Sequence, residues 1–510
     1  MDSKGKLLKN SVYLMIIVFW GKILGFLKQS VIAWKFGTTA NLDVYFSADS
    51  FVSMISQIII ISIPPAIVTT IIKIKKGEEE KEKFISSVFI FFLALGIILI
   101  FLNTIISPIM SDILGISYDF EQKKTLVKYL LYLSPIILFA CVSGVSSGLL
   151  QSKRKFIQDK VMGILLSLSI IIFIVVFEDK LKIISLLLGF VFGYLIFFIL
   201  MLVLLIKNTK IKIINPMKNF YFKKFIRVLI PIIIGVSIVD ISHLIDKMIA
   251  SSLASGSVSV LYYSQIICSD LVNGVIIGSI GIVLLPKVTK EIENKKNNQI
   301  RDDINSIISV TVPIMLVITV LYLFVGKDLI SIAFNRGAFS KNAVKLVYYC
   351  SICYSIGLPF IMIKEIISKY LYAMDNTFSP MLSNVISIII NIILSIILSK
   401  YIGVAGIALS TSISVLISNV VLLRSIKKQI VCKRVINDNC LLDVFKTIII
   451  LVPICIINSL IKMFIKNSFV LLITIDIITL LLFIILSKLL NLSIYNKIIE
   501  IISKRRKKLS

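Results

Sequence analysis

One histidine and two tryptophans occur in 510 residues, and the 27 acidic residues are about half as numerous as the 55 lysines and arginines. A single histidine excludes a His-rich metal centre. No HExxH, no GxxxxGK[ST] phosphate loop and no paired-histidine spacing is present. ATP-driven work would therefore need a nucleotide-binding domain on another subunit. Long polar stretches are missing too. The longest connectors between apolar runs, near 207–224 and 424–443, are too short for an independent hydrophobic core. The seven cysteines are scattered, and Cys141, Cys268, Cys350, Cys353 and Cys455 fall inside apolar runs. Cys350 and Cys353 form a CxxC, but no βαβ pattern surrounds it, so it reads as helix filler rather than a redox or metal motif.

Apolar sequence is abundant. The chain is 58% hydrophobic with a mean hydropathy of +1.00, and the apolar residues come in runs of the length a helix needs to cross hydrocarbon, about 20 residues. Only helices and closed barrels satisfy their backbone groups in lipid. The sequence predicts about fourteen spans: 11–34, 44–72, 84–107, 126–150, 160–177, 182–206, 225–250, 258–285, 305–326, 344–371, 380–399, 402–423, 444–465 and 468–488. The basic start followed by apolar residues from Val12, without a small-residue cleavage site, reads as a retained first span rather than a cleaved signal peptide.

Charge follows a beat. Lys/Arg gather in the N-terminal tail, in loops 73–83, 153–160, 207–224, 287–303 and 424–446, and in the tail Lys504-Arg505-Arg506-Lys507-Lys508. The alternate loops are poor in them: 251–259 has none and 35–43 only Lys35. Loop 372–379 breaks the beat with only Asp375. By the positive-inside rule both termini are cytoplasmic and the span number is even. The net charge of +28 thus marks topology and attraction to anionic lipid, not nucleic acid. A weak internal echo links Tyr45-Phe-Ser47 in the second span with Tyr262-Tyr-Ser264 in the eighth. It divides the chain into halves 1–224 and 225–430, with 431–510 appended, an organisation common in transporters.

Ionisable residues inside spans carry the functional signal, since each costs about 2.5–3.5 kcal/mol on insertion scales. The first span holds Lys22 and Lys28, with Gly21 and Gly25 beside Lys22. They read as a cationic wall for an anionic substrate; the alternative is that Lys28 snorkels outward while Lys22 pairs with a carboxylate. The seventh span holds Asp240, His243, Asp246 and Lys247 at helical spacing. As a stripe they read as cavity lining, with Asp246 available to bind a cation, relay a proton or neutralise Lys22. Glu365 and Lys369 are spaced for a helical ion pair. Asp476 reads as peripheral.

Ordered motifs run along the chain: Gly21-Lys-Ile-Leu-Gly25-Phe-Leu-Lys28, Phe36-Gly37, Asp43, Ala250 to Ser259, Leu284-Leu-Pro286, Asn335-Arg-Gly337-Ala-Phe339-Ser, Gly357-Leu-Pro359, Tyr372-Ala-Met-Asp375-Asn-Thr377-Phe-Ser-Pro380 and Gly403-Val-Ala-Gly406-Ile-Ala-Leu-Ser-Thr411. Together they resemble the MurJ (MviN) family of lipid II flippases over essentially the whole chain. The resemblance implies an all-α, fourteen-span fold of the multidrug/oligosaccharidyl-lipid/polysaccharide exporter type. In that fold two six-helix lobes enclose a central cavity and the last two helices form a lipid-facing groove. It also implies substrate contacts at Lys22, Lys28 and Asp43, to which the seventh-span stripe adds His243 and Lys247 and the Ala250–Ser259 motif adds Ser259, and, as in some members, a sodium site at Asp246, Asn391, Ser395, Ile407 (through its carbonyl) and Thr411.

Several positions depart from the family pattern. Lys22 and Lys28 replace arginines, keeping charge but losing the bidentate fork. Ser56, Ile266, Ser269 and Ser395 stand where the family has charged residues, and Lys247 supplies a positive charge one span away from Ile266. The expected function is non-enzymatic. A polyprenyl-diphosphate-linked glycopeptide, lipid II, is moved from the inner to the outer leaflet of a bacterial cytoplasmic membrane by alternating access. No cofactor is expected; Na+ or the membrane potential would drive the cycle, and the protein would act as a monomer among membrane lipids. Two alternatives stay open: a flippase for another polyprenyl-diphosphate-linked glycan, and a cation-coupled exporter of small amphiphiles.

Overall fold

The computed structural model describes residues 3–75, 77–153, 155, 157–270, 272, 288, 297–432 and 434–496, with side chains from Ile17 onward and none at 269–270. The rest of the eighth span, the Leu284-Leu-Pro286 motif, the Ser269 side chain and the basic tail from Lys504 lie outside that description. Among the described residues every regular element is a helix: α1 (Ser3–Phe36), α2 (Ala40–Ile72), α3 (Glu78–Leu114), α4 (Phe120–Leu133), α5 (Pro135–Ser152), α6 (Ile157–Leu181), α7 (Ile183–Asn208), α8 (Phe220–Ser251), α9 (Ser257–Ser264), α10 (Asn297–Phe334), α11 (Lys341–Ala373), α12 (Phe378–Ile402), α13 (Val404–Gln429), α14 (Asp438–Phe464) and α15 (Ser468–Leu489).

Thirteen described segments are long and apolar enough to cross a bilayer, with α4 and α5 joined at Pro135 into one; Ser257–Cys268 begins the eighth of the fourteen expected spans. The helices carry their apolar residues outward as well as inward. Phe445, Phe464, Phe469 and Leu489 on α14 and α15 are each more than 60% exposed, which suits lipid and not water. Prolines lie inside six long helices, at Pro64 and Pro65, Pro108, Pro231, Pro313, Pro359 and Pro453. Neighbouring hydroxyls and helices can re-satisfy the freed backbone in a membrane.

Packing divides the chain into two compact units, residues 1–259 with Arg336–Phe339, and residues 260–335 with 340–510. The division falls after the seventh span rather than at the expected residue 224, because α8 packs along α2 and α3. The segment 431–510, expected as an appendage, packs into the second unit through Val317 of α10 against Ile450, Ile454 and Phe483.

In the first unit small residues let helices meet. A Cβ on Gly148 of α5 would lie 2.8 Å from Ile67 of α2, and one on Gly189 of α7 would lie 2.9 Å from the Ile170 backbone of α6. In the second unit, α12 presents Ser379, Ser383, Ser387, Asn391, Ser395 and Ser399, a buried polar residue at every fourth position. That spacing makes one stripe along the helix. It meets α13: the Ser383 hydroxyl donates to the Ser418 carbonyl (3.0 Å), the Ser387 and Ser414 hydroxyls bond at 3.3 Å, and the Ser425 hydroxyl donates to Ser379 (2.8 Å).

The two helices reverse through one residue, Gly403, at φ +60°. Gly406 then passes so close that a Cβ there would lie 2.4 Å from the Leu398 backbone. The Tyr372–Pro380 motif serves the preceding turn. Asp375 adopts φ +58° after α11, and Asn376 Oδ1 accepts from the Ser379 amide (3.0 Å) at the start of α12.

Interhelical hydrogen bonds in membranes average only about 0.6 kcal/mol, whereas forcing an extra carbon onto rigid backbone costs about 1–3 kcal/mol. Close approach should therefore outweigh any single serine contact. Gly406→Ala is expected to lower the thermal unfolding midpoint of the purified protein further than Ser387→Ala does, despite alanine's higher helix propensity. The reverse order would show that hydrogen bonding, not contact distance, holds this pair.

Candidate functional site

The first unit gathers ionisable groups at two levels. At one end, Asp43 lies one turn into α2 and is 2% exposed. Its carboxylate accepts from the backbone amides of Gly256 (2.6 Å) and Ser259 (2.8 Å) and from the Ser259 hydroxyl. Those amides belong to the first turn of α9, whose N–H groups have no partners within their own helix. Asp43 thus caps a helix other than its own, with negative charge on the positive end of the dipole. Gly256 takes φ +90° to deliver its amide, and a Cβ there would lie 2.8 Å from the Thr38 carbonyl.

The neighbouring turns interlock at the same end. The Ala338 amide donates to the Trp34 carbonyl (2.9 Å), the Ile116 amide to the Ser251 hydroxyl (3.2 Å), and Tyr118 and Ser47 share a hydrogen bond of 2.9 Å. Burial, then the Asp43 charge, pushes the Tyr118 phenol above its ordinary value, so it stays protonated. A cavity of about 270 Å³ remains beneath, lined by Ala40, Asp43, Tyr118, Gln122 and Ala250 among others.

The second level lies deeper in the bundle. Lys247 of α8 donates to the Ser50 hydroxyl of α2 at 2.6 Å, and the Ser50 hydroxyl in turn donates to the Phe46 carbonyl. Next to Ser50, Asp49 is 8% exposed and accepts from the Ser53 hydroxyl at 2.7 Å. The charges of both Lys247 and Lys28 reach Asp49. At 1.5 Å per residue, Lys28 sits about 12 Å from the end of α1 and Asp49 about 14 Å from the start of α2. Lys28 and Asp49 thus both lie well inside the apolar length of their helices, while Lys247 lies one turn from the end of α8.

The expected site residues distribute unevenly. Lys28 and Lys247 both lie within electrostatic reach of Asp49. Lys22 does not join them: it is exposed, because six residues turn a helix by about 600°, or 120° away from the Lys28 face. Asp43 and Ser259 do come together, but buried and bonded to each other. Asp43 also borders the cavity of about 270 Å³ at this end. His243 is half-buried on α8, and Asp246 is buried in the same unit. Glu365 and Lys369 of the second unit form the expected ion pair at 2.9 Å.

The sodium candidates Asn391, Ser395, Ile407 and Thr411 converge in the second unit, on the serine seam. Asn391 donates to Thr411 (3.1 Å) and Ser410 (3.2 Å), Ser395 and Ser410 bond at 2.5 Å, and the Ile407 carbonyl accepts from Ser410 (2.7 Å) and Thr411 (3.2 Å). Ser410, absent from the expected set, is the hub. The donors are neutral oxygens of the hard type that suits an alkali cation. Among the described residues no group of three or more His, Cys, Asp or Glu could hold a metal ion.

Asp49 and Ser50 were not legible as site residues. Asp49 carries a signal that was available, an acid inside an apolar run six residues past Asp43. Ile266 lies in a π-helical stretch, Gln265–Asp270. There the Tyr322 hydroxyl donates to the Ile267 carbonyl at 2.5 Å, satisfying a group such a stretch leaves out of the helical ladder.

The family profile described as lipid II flippase MurJ matches residues 32–478. The lipid II flippase MurJ of Thermosipho africanus is 27% identical over 421 residues, covering 82% of this chain and 86% of that protein. The probable lipid II flippase MurJ of Buchnera aphidicola subsp. Baizongia pistaciae is 26% identical over 425 residues, covering 80% and 81%. A solved lipid II flippase MurJ in an inward closed conformation superposes with a TM-score of 0.82 at 27% identity, covering 96% of this chain and all of that one. An inward-facing multidrug transporter of the MATE family shares the fold alone, with a TM-score of 0.66 at 12% identity over 80% of this chain and 94% of its own. With the profile spanning most of its length, the chain belongs to the MurJ family of lipid II flippases.

Proposed function

We propose that this protein moves lipid II from the inner to the outer leaflet of a bacterial cytoplasmic membrane by alternating access, with both termini in the cytoplasm. The observation that carries this reading is a cation inside the membrane bundle, Lys247, held on the Ser50 hydroxyl at 2.6 Å next to the buried Asp49, with Lys28 of α1 within electrostatic reach of the same carboxylate. The polyprenyl tail can remain in lipid while the diphosphate and sugars cross about 30 Å of hydrocarbon. Only the headgroup needs a polar path. Lysines offer point charges rather than a bidentate fork, so they tolerate a diphosphate that shifts as it passes. No bond is made or broken, so no catalytic group is required. With the cell interior negative, outward movement of an anion gains about 2.3 kcal/mol per charge per 100 mV. The oxygens of Asn391, Ser395, Ile407 and Thr411 would serve as ligands were Na+ the coupling ion.

A second reading, a flippase for another polyprenyl-diphosphate-linked glycan, draws on Ile266 standing where the family has an arginine. Small-amphiphile export is less compatible with lysines within reach of Asp49, since a cationic drug would be repelled.

Complementation of a flippase-depleted bacterium tests the reading. The unmodified protein should restore growth, Lys28→Ala and Lys247→Ala should each abolish rescue, Lys247→Arg should keep it, and Lys22→Ala should weaken it less. Full rescue by a Lys28→Ala/Lys247→Ala protein would sink the mechanism; failure of the well-expressed unmodified protein would favour the second glycan.

The Asp43 cap must break if α9 is to part from α2 during the cycle. Asp43→Asn puts an amide donor where an acceptor is required and leaves buried N–H groups unpaired, at about 1–3 kcal/mol. A cysteine at Val258, which is fully buried, is expected to react faster with an impermeant maleimide in the Asp43→Asn background, read by mass at that peptide. Equal labelling with and without the substitution would mean that the cap does not hold this end shut.

A further inference from the structure

We infer that the connector between α7 and α8 is a docking site for anionic phospholipid in the leaflet it meets. The segment is strapped to the start of α3. The Lys210 amide donates to Glu82 (3.4 Å), the Lys212 amide to the Ser86 hydroxyl (3.1 Å), and the Asn219 side chain to the Ser87 hydroxyl (3.2 Å). Asn219 also caps α8, accepting from the Tyr221 and Phe222 amides.

This strap holds large apolar side chains away from the protein. Ile213 is 99% exposed, Met217 60% and Phe220 62%. In water such an arrangement gains nothing, and a hydrogen-bonded strap prevents the segment from folding them inward. The connector joins the ends of two membrane spans, so these side chains lie at the level of the headgroups and upper acyl chains. An amphipathic segment inserts its apolar residues there while lysines meet lipid phosphates.

The charges are placed for that. Lys210, Lys212, Lys218, Lys223 and Lys224 are exposed on the same stretch. Lys224 lies over the Phe220 ring at 4.4 Å. Among the described residues Lys218 and Lys223 have no ion-pair partner. A cavity of about 540 Å³ opens beside them, lined by Glu80, Lys83, Ile214, Lys218, Asn219, Phe220 and Tyr221. Its one acid, Glu80, is already held by Lys83 at 3.2 Å, which leaves Lys218 to receive a phosphate. The inference depends on the membrane-spanning fold and not on what the protein transports.

Full-length protein carrying Trp20→Phe, Trp34→Phe and Ile213→Trp has one indole, at the connector. In phosphatidylglycerol-containing vesicles its fluorescence should be quenched by bromines near the glycerol end of the acyl chains, and less by bromines near the methyl end. Water-like emission with no quenching overturns the proposal. In the second arm, native mass spectrometry compares retention of phosphatidylglycerol against phosphatidylcholine for the otherwise unmodified protein and a Lys218→Gln/Lys223→Gln/Lys224→Gln variant. Preference for phosphatidylglycerol should fall about fivefold for each lysine lost. An unchanged preference, or displacement of the lipid by inorganic phosphate alone, overturns the assignment of this surface to anionic lipid.

Discussion

A polar group inside hydrocarbon has no water to turn to, and every notable feature of this protein answers that constraint. Backbone groups are satisfied by helices, as lipid requires. Side chains must find partners by geometry. On α12 the answer is repetition: a small polar residue every fourth position faces a matching row on α13, so hydroxyls bond across the seam or to carbonyls of their own helices. At the start of α9 the answer is a borrowed cap, the Asp43 carboxylate. Around Asp49 it is mutual neutralisation of an anion by two cations. The first is cheap and permanent; the other two concentrate charge, and charge in a membrane is where function is sought first.

The spans and their order were readable because hydropathy over about 20 residues is a strong signal and tertiary packing rarely alters it. The Glu365–Lys369 pair was equally readable, since both partners sit on one helix at a fixed spacing. Contacts between helices were not. Lys22 and Lys28 look equivalent as buried lysines in one span, yet the helical angle between them puts only Lys28 on the side that faces Asp49. Asp43 and Ser259 were recognised as a pair of candidates without any hint that they bond to each other, because half of that interaction is made by backbone amides of α9, which a sequence does not display. The serine period from Ser379 to Ser399 was open to inspection; its hub, Ser410, became visible only when α13 was laid against α12.

The departures from the family pattern form a consistent set once the geometry is known. Arginine at the Ile266 position would have to share its span with a π-helical stretch whose Ile267 carbonyl is already taken by Tyr322. Positive charge is instead found on α8, at Lys247, where Ser50 holds it and Asp49 lies within its field. Both Asp49 and Ser50 are neighbours on α2, so the patch needs only one helix to position the anion and the hydroxyl.

Asp49 also bears on how a flippase built this way discriminates. Without a resident anion, Lys28 and Lys247 would repel each other, and in a partly desolvated bundle such repulsion is screened far less than in water. Asp49 makes the empty patch tolerable. It equally sets a threshold, because an incoming headgroup must compete with a carboxylate that is already in place and hydrogen-bonded to Ser53. A single negative charge would merely duplicate what Asp49 supplies, at the cost of being desolvated. A diphosphate brings more charge and more acceptor oxygens than one carboxylate, so it can engage both lysines while Asp49 stays on Ser53. On the proposed reading, the arrangement would favour multiply charged phosphate headgroups over ordinary monoanionic lipids.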